Sequence, residues 1–109
     1  MPKNTKATAV VDEELRALVL ARDNYTCQAC GRKTAGQIHH IKARGQGGTH
    51  ALTNLVTLCG RCHMVISPVP AFTLRRAFGI EEQDMPKEKA SVEEAVHRFR
   101  LKLLAQQTD

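Results

Sequence analysis

Cysteine and histidine crowd into one stretch of this 109-residue chain. All four cysteines and four of the five histidines fall within 27–63, as Cys27-Gln28-Ala29-Cys30, Ile38-His39-His40-Ile41, a loop holding Gly47-Gly48, and Asn54-Leu55-Val56-Thr57-Leu58-Cys59-Gly60-Arg61-Cys62-His63. A Cys-x-x-Cys knuckle turns two sulfurs toward one point, and two knuckles complete a tetrahedral zinc shell. Cys27, Cys30, Cys59 and Cys62 therefore read as a closed structural Zn2+ site with no position left for water. The chemistry falls to the imidazoles. His39 and His40 are neighbours, and on a strand neighbours point to opposite sides, so one can hold a second, open divalent ion while the other addresses water. A neutral imidazole, with unperturbed pKa about 6.5, suits proton removal near neutral pH. Base and cation together are what hydrolysis of a phosphodiester demands.

Composition narrows the setting. At this length the chain is read as one domain with a limited core, and with one Tyr, three Phe and no Trp it needs a staple such as a metal. No charged-then-apolar leader and no run of 18 apolar residues are read, so the expectation is a cytoplasmic protein without a membrane partner. A reducing compartment favours zinc over two disulfides for the cysteines. The net charge is +5, and no Asp or Glu occurs between Asp23 and Glu81, an interval that carries Arg32, Lys33, Lys42, Arg44, Arg61, Arg75 and Arg76. A field of one sign suits a polyanion. It also leaves a hydrolytic ion to imidazole, unless the distant ends of the chain fold back.

The elements that must position these groups are legible in outline. Residues 1–11 read as a mobile basic tail. Asp12 caps a helix in the segment 12–26 that should end near Asp23-Asn24, with Leu15, Leu18, Val19 and the Arg22 stem at helical spacing and Glu13 and Glu14 in its first turn. Residues 37–41 form a short strand, bent or bulged because Ile38 and Ile41 do not share a face. A long glycine-rich loop over 42–53 follows, then the apolar strand 55–58, then a two-turn helix from Gly60 that Pro68 stops. A connector over 68–79 contains a helical turn closed by Gly79, and 81–90 is a linker. Ser91 with Glu94 makes a capping box for a C-terminal helix, whose Val92, Ala95, Val96, Phe99 and Leu103 lay one apolar stripe.

At these residues the chain resembles the HNH endonucleases. The likeness covers the His-His-Ile strand, the Gly-Gly loop, Asn-Leu-Val-Thr-Leu-Cys and the Cys-x-x-Cys-His helix start. It implies an α+β fold with a ββα-metal (His-Me finger) core over 27–67, stapled by the four-cysteine zinc and flanked by N- and C-terminal helices. It further implies His40 as general base, His39 and His63 as ligands of the catalytic ion, and Asn54 as the residue that either orients the base across the loop or ligates the ion, orientation being favoured here. The expected reaction is metal-dependent hydrolysis of DNA, leaving 5′-phosphate and 3′-hydroxyl ends and nicking one strand at a time. A double-strand break would need a homodimer, a second encounter or a phage or host protein partner.

Many relatives carry Asp immediately before the catalytic His, whereas this chain has His39. Imidazole binds magnesium poorly and manganese, nickel, cobalt or zinc well, so Mn2+ is expected to support activity at least as well as Mg2+. Lys42, Arg44 and Arg61 are the expected phosphate contacts. His50 is read as an exposed or phosphate-contacting loop residue, and His97 as structural or exposed. Two rival readings are a zinc-ribbon module that binds nucleic acid without reacting, and thiol-disulfide exchange through Cys-x-x-Cys. Scarce aromatics and the lack of a base-reading element imply weak sequence preference.

Overall fold

The computed structural model describes residues 12–106, so the expected tail at 1–11 lies outside the described residues. Asp12 caps helix α1 (Glu13–Arg22) as expected, its Oδ1 accepting from the Leu15 N–H at 2.9 Å. The helix ends where expected, near Asp23-Asn24. Asp23 closes it, and Asn24 and Tyr25 take positive φ values of 57° and 49° that no helix continues. The buried face also differs: Leu20 is buried with Val19, while Leu18 remains 55% exposed.

Strand β1 (Gln37–His40) pairs antiparallel with β2 (Leu55–Leu58), with Gln37 opposite Leu58 and His40 opposite Leu55. The register is one-to-one, so the expected bulge is absent from these strands, and Ile41 prolongs the ladder by donating to the Asn54 carbonyl at 2.8 Å. All four residues of β2 are buried. Side chains alternate across a strand. Val56 and Leu58 accordingly join the main core with Val65, Leu74, Val92 and Val96, while Leu55 is buried on the side that α1 covers. The two-stranded sheet is thus layered between α1 and the later helices.

Helix α2 (Gly60–Val65) springs directly from β2 through Cys59, and α3 (Ala71–Phe78) ends at Gly79 in the left-handed conformation, φ 70°, as the glycine suggested. One boundary is corrected. The linker at 81–90 and the Ser91 cap do not form: a 3-10 turn (Glu82–Asp84) leads into α4 (Met85–Gln106), and Ser91 lies inside that helix. Pro86 sits in the first turn, where its missing N–H is harmless, and Lys87 to Ala90 are good helix formers that carry no apolar stripe. The forecast stripe itself survives, with Val92 and Val96 buried and Phe99 packed on the core.

Arg22 and Asp23 lock α1 to the sheet. Asp23, 5% exposed, accepts from Arg22 Nε at 2.7 Å and from the Thr57 N–H at 2.9 Å. The Arg22 guanidinium also donates to the carbonyls of Leu52 and Leu55, both at 2.6 Å, and lies 5.1 Å from the centre of the Phe99 ring. A buried carboxylate is tolerated because its oxygens are all met by donors.

Candidate metal centre and active-site groove

The first knuckle is a tight hairpin in which Cys27 and Arg32, and Tyr25 and Thr34, are joined by backbone hydrogen bonds around Gly31. Gln28 N–H donates to the Thr57 carbonyl at 3.0 Å, which fixes this hairpin against β2. The second knuckle is the start of α2. In both, the first sulfur accepts from the N–H three residues on: Cys27 Sγ from Cys30 at 3.5 Å, and Cys59 Sγ from Cys62 at 3.4 Å.

All four Sγ atoms lie within 4.8 Å of one another, and those of Cys30 and Cys59 are 3.7 Å apart. Tetrahedral zinc with Zn–S near 2.3 Å would space sulfurs by about 3.8 Å, whereas a disulfide would need about 2.05 Å. The four thiols are free, which removes the disulfide reading. Their ionisation also fits a cation. Burial and then the charge of Cys27 push the Cys62 thiol up, and burial raises Cys30. At Cys27 burial also works upward, but the N–H groups of Cys30, Cys59 and Ala29 bring it down to about 7. Four adjacent thiolates repel unless a metal neutralises them, and the donor set is the one zinc takes.

The next residue, His63, faces the other way. Its ring meets that of His39 edge to face, with centroids 5.5 Å apart. Both border an open groove of about 630 Å³ with His40, Ala43, Ile66 and Arg16. Burial, then the neighbouring His63 and His40, hold His39 down to about 4, and burial lowers His63. Both imidazoles are therefore neutral at physiological pH, with lone pairs available. Imidazole nitrogen is a better donor for zinc and the later divalent transition metals than for Mg2+.

His40 points away from that pair, toward the loop. Its Nε2 lies 3.0 Å from His50 Nδ1, and the rings are tilted at 43°. One nitrogen of this contact must donate and the other accept, so His50 fixes the plane of the His40 ring. The loop that carries His50 is pinned by Asn54. This residue, 4% exposed, accepts from Lys42 N–H at 2.7 Å and donates to the carbonyls of Lys42 at 3.2 Å and Thr49 at 2.9 Å. Its amide is thus engaged at both ends of the loop. Gly47, with φ 89°, turns the chain, and at Gly48 a Cβ would lie 1.9 Å from the Lys42 carbonyl, so only glycine lets the loop close here.

The expected phosphate contacts divide. Lys42 is exposed beside β1. Arg44 opens a 3-10 turn, its side chain lying outside the described residues. Arg61 instead donates to Glu88 of α4 at 2.9 Å, and its charge is supported by Glu88 and by neighbouring Cys62. It ties α4 to the knuckle and does not border the groove of His39 and His63. Sequence reasoning missed Arg16, whose guanidinium donates to the carbonyls of Ala35 and Gly36 at one end of the groove. It also undervalued His50. The available signal there was a histidine placed between the Gly-Gly turn and Asn54.

No helix among the described residues is long and apolar enough to cross a membrane. Comparison with known proteins agrees with the geometry at one place: the model of the HNH endonuclease family matches residues 27–66. No curated protein and no solved structure matches the chain. The matched span holds both knuckles, both strands, the pinned loop and α2, in an α+β arrangement consistent with a ββα-metal core. Residues 27–66 thus match the HNH endonuclease family, and the four cysteines are placed to hold a metal, consistent with the kind braced by zinc knuckles.

Proposed function

We propose that the protein is a metal-dependent DNA endonuclease that nicks one strand at a time with weak sequence preference. A nuclease or nucleic-acid-binding role follows from the domain itself. The hydrolytic reading is carried by one observation: His39 and His63, from a strand and from a helix, meet in an open groove while adjacent His40 is held on the other side by His50. A module that only binds nucleic acid has no use for that arrangement.

In this reading His40 takes a proton from water as its oxygen attacks phosphorus, and the bond from phosphorus to the 3′ oxygen breaks. The products are a 5′-phosphate and a 3′-hydroxyl. His39 and His63 would hold a divalent ion, which when bound supplies positive charge to the crowded phosphate and the departing oxygen. His50 orients the base, and Asn54 acts through the loop rather than as a ligand. Arg16 adds positive charge at the groove's end, and Lys42 and Arg44 are placed by the chain beside β1. Free thiols arranged for zinc suit a reducing, cytoplasmic setting.

Supercoiled plasmid tests this directly. With zinc-loaded protein, Mn2+ should give open circles at least as fast as Mg2+, and His40→Ala should lower the rate by about 10²- to 10⁴-fold. DNA binding with no relaxation in either metal would return the protein to the rival class of non-catalytic zinc-ribbon modules. A clear preference for Mg2+ would count against His39 as a ligand.

A further inference from the structure

The groove at His39 and His63 does not end at the histidines. A second groove of about 500 Å³ shares His39, His40, Ala43 and Ile66 with the first. It continues to Gln46 on the loop and to Glu93, His97 and Arg100 on α4. These three recur at i, i+4 and i+7, so they occupy one face of the helix, and buried Val96 anchors that part of α4 in the core. Arg100 is half-buried. Its Nε is sealed from solvent and has no hydrogen-bond partner among the described residues. Nε itself is out of a ligand's reach, but the half-buried Arg100 side chain also lines the groove, and a phosphate there is the anion a guanidinium takes best.

We infer that the groove beneath α4 is a second backbone-binding subsite for nucleic acid, with Arg100 as the phosphate contact and His97 as a hydrogen-bonding partner. The strand crosses the ridge of His39 and His40, with Arg16 near one end of its path and Arg100 near the other. This placement rests on the proposed function for where the cut phosphate lies. Among the described residues Glu93 is the single acid bordering the subsite and opposes the anion, which gives the inference a test of opposite sign.

The experiment measures binding of a fluorescein-labelled 20-base-pair DNA duplex to the zinc-loaded full chain, with no other divalent ion, from ~50 to ~200 mM salt. Arg100→Gln should weaken binding about three- to tenfold at low salt, equally for unrelated sequences, and flatten the slope of log K against log salt by about 0.9. Arg98→Gln removes the same charge from an exposed residue that pairs with Glu94 outside the groove, and should leave the slope unchanged. Glu93→Gln should tighten binding about twofold or more.

Equal slopes for wild type and Arg100→Gln, or equal flattening by Arg98→Gln, would overturn the subsite. Should Arg100→Gln fail to fold by thermal melt and zinc content, Glu93→Gln decides, since unchanged or weaker binding there is fatal. The readout involves no hydrolysis. Binding that depends on Arg100 without plasmid nicking would sink the nuclease reading alone, and nicking with binding indifferent to Arg100 would sink the subsite alone.

Discussion

Two clusters, one of cysteines and one of histidines, share one short helix and differ in almost every other respect. The thiols come from two copies of the same local turn, converge to 4.8 Å or less and, except for Cys30, are buried. The imidazoles come from a strand, a loop and a helix and stand in facing pairs, and all of them but His50 border open grooves. One cluster is closed by its own geometry; the other depends on everything around it. The link is the step from Cys62 to His63 along α2, which sends one side chain into the core and the next into the groove. The knuckle therefore sets the helix, and the helix sets where His63 points.

The largest effect should come from breaking the closed cluster. Chelating the zinc, or Cys59→Ser, should abolish cooperative thermal unfolding, because for a structural zinc site in a small domain the binding energy, on the order of 10 kcal/mol, is folding energy. If the stripped protein still melts cooperatively at an unchanged temperature, the two clusters are independent. Next in size is His50→Ala, which should slow plasmid nicking about tenfold or more with little change in melting, since it touches the base and not the core. An equal loss of stability and rate would instead make His50 structural.

Asn54→Ala removes three buried hydrogen bonds to the loop and should cost about 2–3 kcal/mol in denaturant titration, with activity falling alongside. Stability loss without activity loss would detach the loop from the site. The smallest effect is on pH. His39 is held near 4 in the fold against about 6.5 when unfolded. Between those values the unfolded chain binds the extra proton, so this contribution to stability is present above pH 6.5 and is lost as pH falls toward 4. His39→Gln should flatten that part of the stability profile, and an unaltered profile would show that the ring is not desolvated.

What the sequence revealed follows the same division. The knuckles were readable because ligand spacing is local, and the strands and α2 because an apolar run bounded by Asn54 and Cys59 has few other outcomes. Asn54 was singled out by the family resemblance, but its three partners needed coordinates. The start of α4 was missed because the stretch from Lys87 to Ala90 has helix propensity but no apolar period, and period was the signal being followed. Arg61, Arg22 and Arg100 escaped for a different reason. Their partners, or the grooves they border, lie 27 residues or more away or on another element, and nothing in local pattern says that α4 docks beside the histidines.

The clamp formed by Arg22 and Asp23 also governs how copies of this protein could meet. Every outward backbone group at the middle of β2 is occupied: the Leu55 carbonyl by Arg22, the Thr57 N–H by Asp23 and the Thr57 carbonyl by Gln28. A bare strand margin invites another chain to add itself. Here that invitation is withdrawn, so any self-association that would cut both strands of a duplex must be made through side-chain surfaces and not by extending the sheet across β2.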